Sequence, residues 1–241
     1  MESKEAYKKA LGEETKPTLP PYRLDHFRVY NVVDTSVKYG VALRGQFDKG
    51  RFKKHRLTTI DHFSNPVDKK DEGIFDKDAH LTWYTLAPQD SPEPTRKVIV
   101  SNQFGGHQTL LIEEATLLLA PTHKIEKGLS FPRRLDHFKC YRVTEGKAIG
   151  EEVSLRDQYI LHGTTRVREP LLFCVPVDKR HGSTLTEIMH EDDHLTVYRI
   201  TDREIGRDQR TKDQFDKHDL RMVATAMLAV PTRKLRWSLV G

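Results

Sequence analysis

Apolar and polar residues alternate along this chain in short runs, the period-two pattern of strands that bury one face. Leu24 to Val33 alternates in this way and is rich in aromatic and β-branched residues, as are Leu81 to Leu86, Val98 to Phe104 and Leu195 to Ile200. Ala115 to Ala120 and Val223 to Val230 are apolar runs that enter a proline, the pattern of a buried strand leaving its sheet. Met222 to Val230 is alanine-rich enough to read as a short helix, but its counterpart Glu114 to Ala120 has more β character, and this favours a strand at both places. No apolar run approaches the roughly 20 residues that a membrane-spanning helix needs. The pattern predicts an all-β protein.

The strands recur as copies. Leu24-Asp25-His26-Phe27-Arg28-Val29-Tyr30 returns as Leu135-Asp136-His137-Phe138-Lys139-Cys140-Tyr141, and Phe63 to Lys69 returns as Phe173 to Lys179. A fainter duplication divides each half again. Every quarter opens on a His-to-Tyr strand (His26/Tyr30, His80/Tyr84, His137/Tyr141, His194/Tyr198). Each then carries a Gln-aromatic pair beginning at Gln46, Gln103, Gln158 or Gln214, and closes on Pro-x-x-Lys ending at Lys69, Lys124, Lys179 or Lys234. The His-to-His steps are 54, 57 and 57 residues, so the repeat unit is about 55 residues long. This predicts two similar small β-barrel or sandwich domains, each built from two repeats with internal pseudo-twofold symmetry. A four-bladed propeller is the alternative, but propeller blades usually have four strands and the half-chain similarity is the stronger one. The expected divisions are a flexible arm over 1–22, a β domain over 23–128 and a second over 129–241, with a break near Ile125 to Phe131.

Charge and composition narrow the function classes. Forty basic against thirty-five acidic residues give a net charge of +5, a mild excess that permits acidic partners without demanding nucleic acid. Zinc-finger spacing, a phosphate-binding loop and a dinucleotide fingerprint are all missing, so no metal or cofactor is expected. The N-terminal stretch Met1 to Lys9 is charged, with no apolar core of a secretion signal, which predicts a cytoplasmic protein with no membrane partner. The two cysteines, Cys140 and Cys174, align with Val29 and Ser64, so one half has both thiols and the other neither. They begin and end the same quarter, as a disulfide or as a reduced pair of core thiols.

The strings Asp136 to Tyr141, Asp157-Gln158-Tyr159, Phe173 to Lys179 and His194 to Tyr198 resemble a poorly characterised β-domain of environmental bacteria, often secreted and in tandem. The resemblance covers about residues 23 to 236 and carries no known chemistry. The chain departs from that family in lacking a signal segment and in losing the cysteine pair from its first half. A two-domain protein of this kind also resembles the peptide-binding proteins of crocagin biosynthesis, a ribosomal-peptide alkaloid route. That resemblance implies a role in holding a precursor peptide for a partner enzyme, and assigns no residue.

Residues present in every quarter are expected to be structural, since an active site seldom occurs four times in one chain. The repeated histidines then bond neighbouring carbonyls or carboxylates, the glutamines satisfy turns, and the lysines cover strand ends. Function is expected where the halves differ. The run Lys49 to Arg56 is strongly basic, and Arg51, Lys53, Lys54 and Arg56 are candidates to clamp an acidic peptide or its C-terminal carboxylate. Its counterpart, Ile160 to Arg168, keeps only Arg166 and Arg168. The bland reading of both is a solvated hairpin. Trp83, replaced by Val197, is a candidate stacking platform or a core residue. His107 follows Gly105 and Gly106 in what reads as a tight turn open to a ligand. His62, whose Asp61-His62 pair becomes Leu171-Leu172, is the best single general-base candidate. The preferred expectation is a peptide-binding accessory protein with an acidic peptide, a partner biosynthetic enzyme and a homodimer as its associations. The alternatives are a cyclase or hydrolase using His62 or His107, and a self-associating structural module.

Overall fold

The computed structural model describes residues 23–125, 132 and 134–240, so the expected arm over 1–22 and most of the expected break lie outside the described residues. The described chain forms antiparallel strands: β1 (His26–Gly45), β2 (Lys53–Lys69), β3 (His80–Leu86), β4 (Arg96–Asn102), β5 (Gly105–Lys124), β6 (His137–Gly146), β7 (Glu152–Arg156), β8 (Thr164–Arg166), β9 (Pro170–His181), β10 (Thr184–Thr186), β11 (His194–Arg199), β12 (Glu204–Lys212) and β13 (Lys217–Leu239). Among the described residues no helix is long and apolar enough to cross a membrane. The all-β reading holds, and Met222 to Val230 is strand.

Pairing follows the order β1-β2-β3-β5-β6-β9-β11-β13 and returns to β1, a closed ring to which each quarter gives two neighbouring strands. Alternate residues of these strands point into the ring. Phe27 and Val29, Leu81 and Trp83, Phe138 and Cys140, and Leu195 and Val197 belong to one buried cluster that draws on every side of the ring. A ring of eight strands leaves a lumen just wide enough for side chains to fill. Cys140 and Cys174 face each other across β6 and β9 inside it and are joined as a disulfide.

The sequence predicts two domains, but the halves do not close separately. Between its two ring strands each quarter runs out into a hairpin arm, and the arm pairs with the opposite quarter. β1 adds Ala42 to Gly45 against Val177 to Arg180 of β9, and β7 returns the exchange against Asp68 and Lys69 of β2. Likewise β4 pairs with Arg233 to Leu239 of β13, and β12 pairs with His123 and Lys124 of β5. Each half therefore completes the other, and β5 and β6 pair directly across the half boundary. The outward faces of the ring, including Tyr30, Tyr84, Tyr141 and Tyr198, are buried beneath the arms.

The repeated prolines do not end their strands, contrary to the sequence reading. Pro66, Pro121, Pro176 and Pro231 all sit inside pairings, opposite Phe27, Leu81, Phe138 and Leu195. In each case the neighbour on the other side stops pairing two residues earlier, at Ser64, Leu119, Cys174 or Ala229. A missing N–H on that side forfeits no ladder bond.

Candidate functional site

The recurring polar residues lock each arm onto the ring. The Gln46 amide lies 2.8 Å from Nε2 of His194, and Gln103 lies 2.6 Å from Nε2 of His26, so the glutamine of one quarter meets the opening histidine of the quarter before it. His194 donates from Nδ1 to the Asp192 carbonyl at 2.8 Å, which leaves Nε2 to accept. The glutamines thus bridge quarters rather than satisfy their own turns. The ring tyrosines reach the arms as well: the Tyr30 hydroxyl donates to Asp157, and that of Tyr84 to Asp213. Lys69, Lys124 and Lys179 lie beneath the arm aromatics Phe104, Tyr159 and Phe215. Burial pushes His26 and His194 down to about 4 and Lys179 down to about 8. Histidines held neutral suit acceptors in a framework.

The sites of metal chemistry that the histidines suggest are also turn supports. Among the described residues, Asp136, His190 and Asp193 bring ligand atoms within 4.8 Å of one another. Yet the Asp136 carboxylate accepts the backbone N–H groups of Met189 and His190 at 2.8 Å each. Asp25 does the same for Phe75 and Asp76, at 2.7 and 2.8 Å, with no histidine at the place of His190. The shared task is to hold the turn before the next ring strand.

Arm exchange creates two related clefts. In one, of about 620 Å³, Asp68 pairs with Arg156 at 2.5 Å beside Lys77 and Gln158. In the other, of about 410 Å³, Asp178 pairs with Arg44 at 2.7 Å beside Gln46 and Lys234. The ion pairs occupy equivalent places in the two halves.

Outside the ring the halves diverge on the first arm. There Lys54 faces Ala42 across β2 and β1, and Ala42 in turn faces Arg180 of β9. Arg56 faces Gly40, where a Cβ would meet nothing within 4 Å. Directly opposed residues of an antiparallel pair share a face, so two small residues form a floor with Lys54 and Arg56 on one wall and Arg180 on the other. All three cations are exposed. Phe52 lies between the guanidinium groups of Arg44 and Arg180, at 4.6 and 4.4 Å, and fixes that wall. On the third arm the same register puts Arg166 opposite Glu152 and Thr164 opposite Ser154, so the cationic wall is neutralised there.

The other expected site residues scatter. Lys53 turns away from the face toward Asp48 at 3.3 Å and Glu93 at 3.6 Å, because adjacent strand residues point to opposite sides. Arg51 is exposed just after the first arm's turn, and Arg168 is exposed beyond β8 on the third arm. Trp83 is wholly enclosed in the ring, its indole N–H donating to Ser64 Oγ at 3.0 Å, so it presents no stacking surface to a ligand outside. His107 is exposed, with φ of 57°, but it lies in the returning strand β5; the tight turn is Gln103-Phe104. His62 faces Trp83 from β2, its ring 5.9 Å away and nearly perpendicular. Burial holds it near a pKa of about 4, and it lines neither cleft. Sequence reasoning missed Gly40, Ala42, Phe52 and Arg180. No local signal marks them, since Arg180 reaches the first arm only through the exchange.

A family described as a repeat of unknown function (DUF7450) matches residues 80–231. The chain belongs to the DUF7450 repeat family. The matched stretch opens on the ring histidine His80 and closes on the ring proline Pro231, so the DUF7450 match coincides with the marks of the framework. Neither a curated protein nor a solved structure matches the chain.

Proposed function

We propose that this protein is a peptide-binding accessory protein that receives an extended acidic segment on the outer face of its first arm. What supports the reading is the three-strand face on which Lys54, Arg56 and Arg180 flank the floor of Gly40 and Ala42. The cations are exposed, and the floor admits a backbone at close range. An exposed ion pair contributes only about 0.2–1 kcal/mol, so three such pairs supply at most about 3 kcal/mol, a weak attraction that falls further with salt. The wider role, holding a ribosomal precursor peptide for a partner enzyme, rests on the resemblance. The test is fluorescence polarisation with a labelled peptide of glutamate, glycine and serine. Wild-type protein is expected to bind it, and the double substitution Lys54→Glu, Arg56→Glu to weaken binding more than tenfold while the fold is kept. Equal affinity for the two proteins refutes the reading.

A further inference from the structure

A second surface feature lies at the far end of β13. Arg233 to Leu239 pairs with β4 on one side only. β11 flanks β13 on one side as far as Thr232 and β1 on the other as far as Ala229; β4 continues one of these sides, and among the described residues no strand continues the other. The stretch is also apolar where it is open. Leu235, Trp237, Leu239 and Val240 are 37%, 39%, 52% and 45% exposed. Arg233 and Arg236 are exposed among them. Trp237 is held in place by an edge-on contact with Phe47 of the first arm's turn, at 5.1 Å between ring centres. Proteins ordinarily blunt such an edge by shortening, bulging or covering it. Here the edge has one irregularity, at Leu235, and among the described residues an apolar strip is kept along backbone groups that no strand pairs on that side. In the first half, among the described residues, the matching arm pairs at Lys124 and His123.

We propose that the free edge of residues 233–239 takes up a strand from a partner protein, an extended segment in which acidic and apolar residues alternate. Strand addition draws affinity from main-chain hydrogen bonds and selectivity from alternate side chains. Charge decides the occupant. Arg233, Lys234 and Arg236 lie within four residues, so a second copy of this edge brings like charges together, whereas an acidic strand pairs with them. Its apolar side chains lie along Trp237 and Leu239, which share one face of the strand. This site is separate from the first-arm face and does not depend on it.

The test uses a synthetic peptide that alternates valine with glutamate, and a second in which every other amide along one edge is N-methylated. The two have the same charge and side chains, but the second cannot complete a ladder. The chain has two tryptophans, and Trp83 is wholly buried, so a change in tryptophan emission reports on Trp237. The parent peptide is expected to bind and shift that emission, and N-methylation to weaken binding at least tenfold. Arg236→Glu should abolish the response, and Trp237→Glu, which removes the reporter, should abolish binding of the labelled peptide in fluorescence polarisation, while Thr164→Glu on the third arm leaves that binding within twofold. Equal binding of the two peptides overturns the proposal, because side-chain charge alone then suffices. Loss of binding only in the Lys54, Arg56 variant also overturns it. So does self-association of the wild-type chain that Trp237→Glu abolishes, since the edge is then a contact between copies. The peptide comparison is made on the unaltered protein and is independent of how any variant folds.

Discussion

Lowering the pH from 7 to 5 should loosen the framework through its buried histidines. His55 and His194 are 5% and 2% exposed, and burial brings both from an ordinary 6.5 down to about 4. In the unfolded chain each takes up a proton as pH falls through 6.5; in the folded protein it does so only near 4. A folded pKa below the unfolded one means that stability is fully present above 6.5 and is lost progressively between 6.5 and 4. At about 1.4 kcal/mol for each pH unit over which only the unfolded chain is protonated, the two histidines together remove roughly 4 kcal/mol by pH 5. That is a large part of the roughly 5–15 kcal/mol by which domains are stable. His26 and His62 act in the same direction. Asp25 and Asp213, pushed up by burial, act in the opposite direction toward the acid end, so the effect is best read between pH 7 and 5. Urea unfolding followed by tryptophan fluorescence at pH 7.5, 6 and 5 is the assay, with a steep fall in midpoint expected. His194→Gln should flatten the fall by about one proton's worth. A midpoint that stays level from pH 7 to 5 refutes the premise that these imidazoles are held neutral.

Three further outcomes follow from the same architecture. Asp48→Ala leaves the wholly buried Lys139 ammonium without its 2.6 Å partner and should cost about 3–5 kcal/mol in chemical unfolding, whereas Asp48→Ala with Lys139→Met should recover most of that loss. Cys140 and Cys174 should resist alkylation in the folded and unfolded chain until reductant is added, and reduction should lower stability by about 2–4 kcal/mol; free thiols on mass analysis would contradict this. Residues 23–128 expressed alone should fail to fold, because β2 and β5 lose the arms that cover them; a dispersed proton–nitrogen spectrum from that fragment would show that exchange is dispensable.

The strands and the fourfold copy are legible because both are local: alternation marks a half-buried strand, and repeated strings mark a repeated unit. Arm exchange is not local. Period-two alternation tells which face of Ala42 to Gly45 is buried, but is silent on whether the covering strand is β2 or β9, both of which it has. The same limit hid the task of Gln46, whose partner His194 is 148 positions away. The basic run was half legible. Lys54 and Arg56 stand out as charge, but the alternation that exposes them also turns Lys53 inward, and Arg180 arrives from another quarter. Arg166 reads as a cation in sequence and loses that character only because the register sets Glu152 against it.

Difference between copies is therefore an incomplete guide to function, and the ring interior shows why. Trp83 stands where the second half has Val197, and its indole N–H needs an acceptor, which Ser64 supplies. At the positions of Val29 and Ser64 the second half, with its smaller valine, has the Cys140–Cys174 disulfide. Bulk and polarity are traded within one enclosed lumen, so these differences answer to packing. His62 in place of Leu172 belongs to the same adjustment, since it faces Trp83. Differences at the surface have no such account. Nothing inside the fold calls for Lys54 where the other arm has Thr164, for Gly40 where it has Glu152 opposite a shared arginine, or for an apolar, cationic edge from Arg233 to Leu239. A residue that departs from its copies marks a binding surface when it is also exposed and not needed to fill, bond or neutralise a neighbour, and in this chain that condition selects the first-arm face and the free edge of β13.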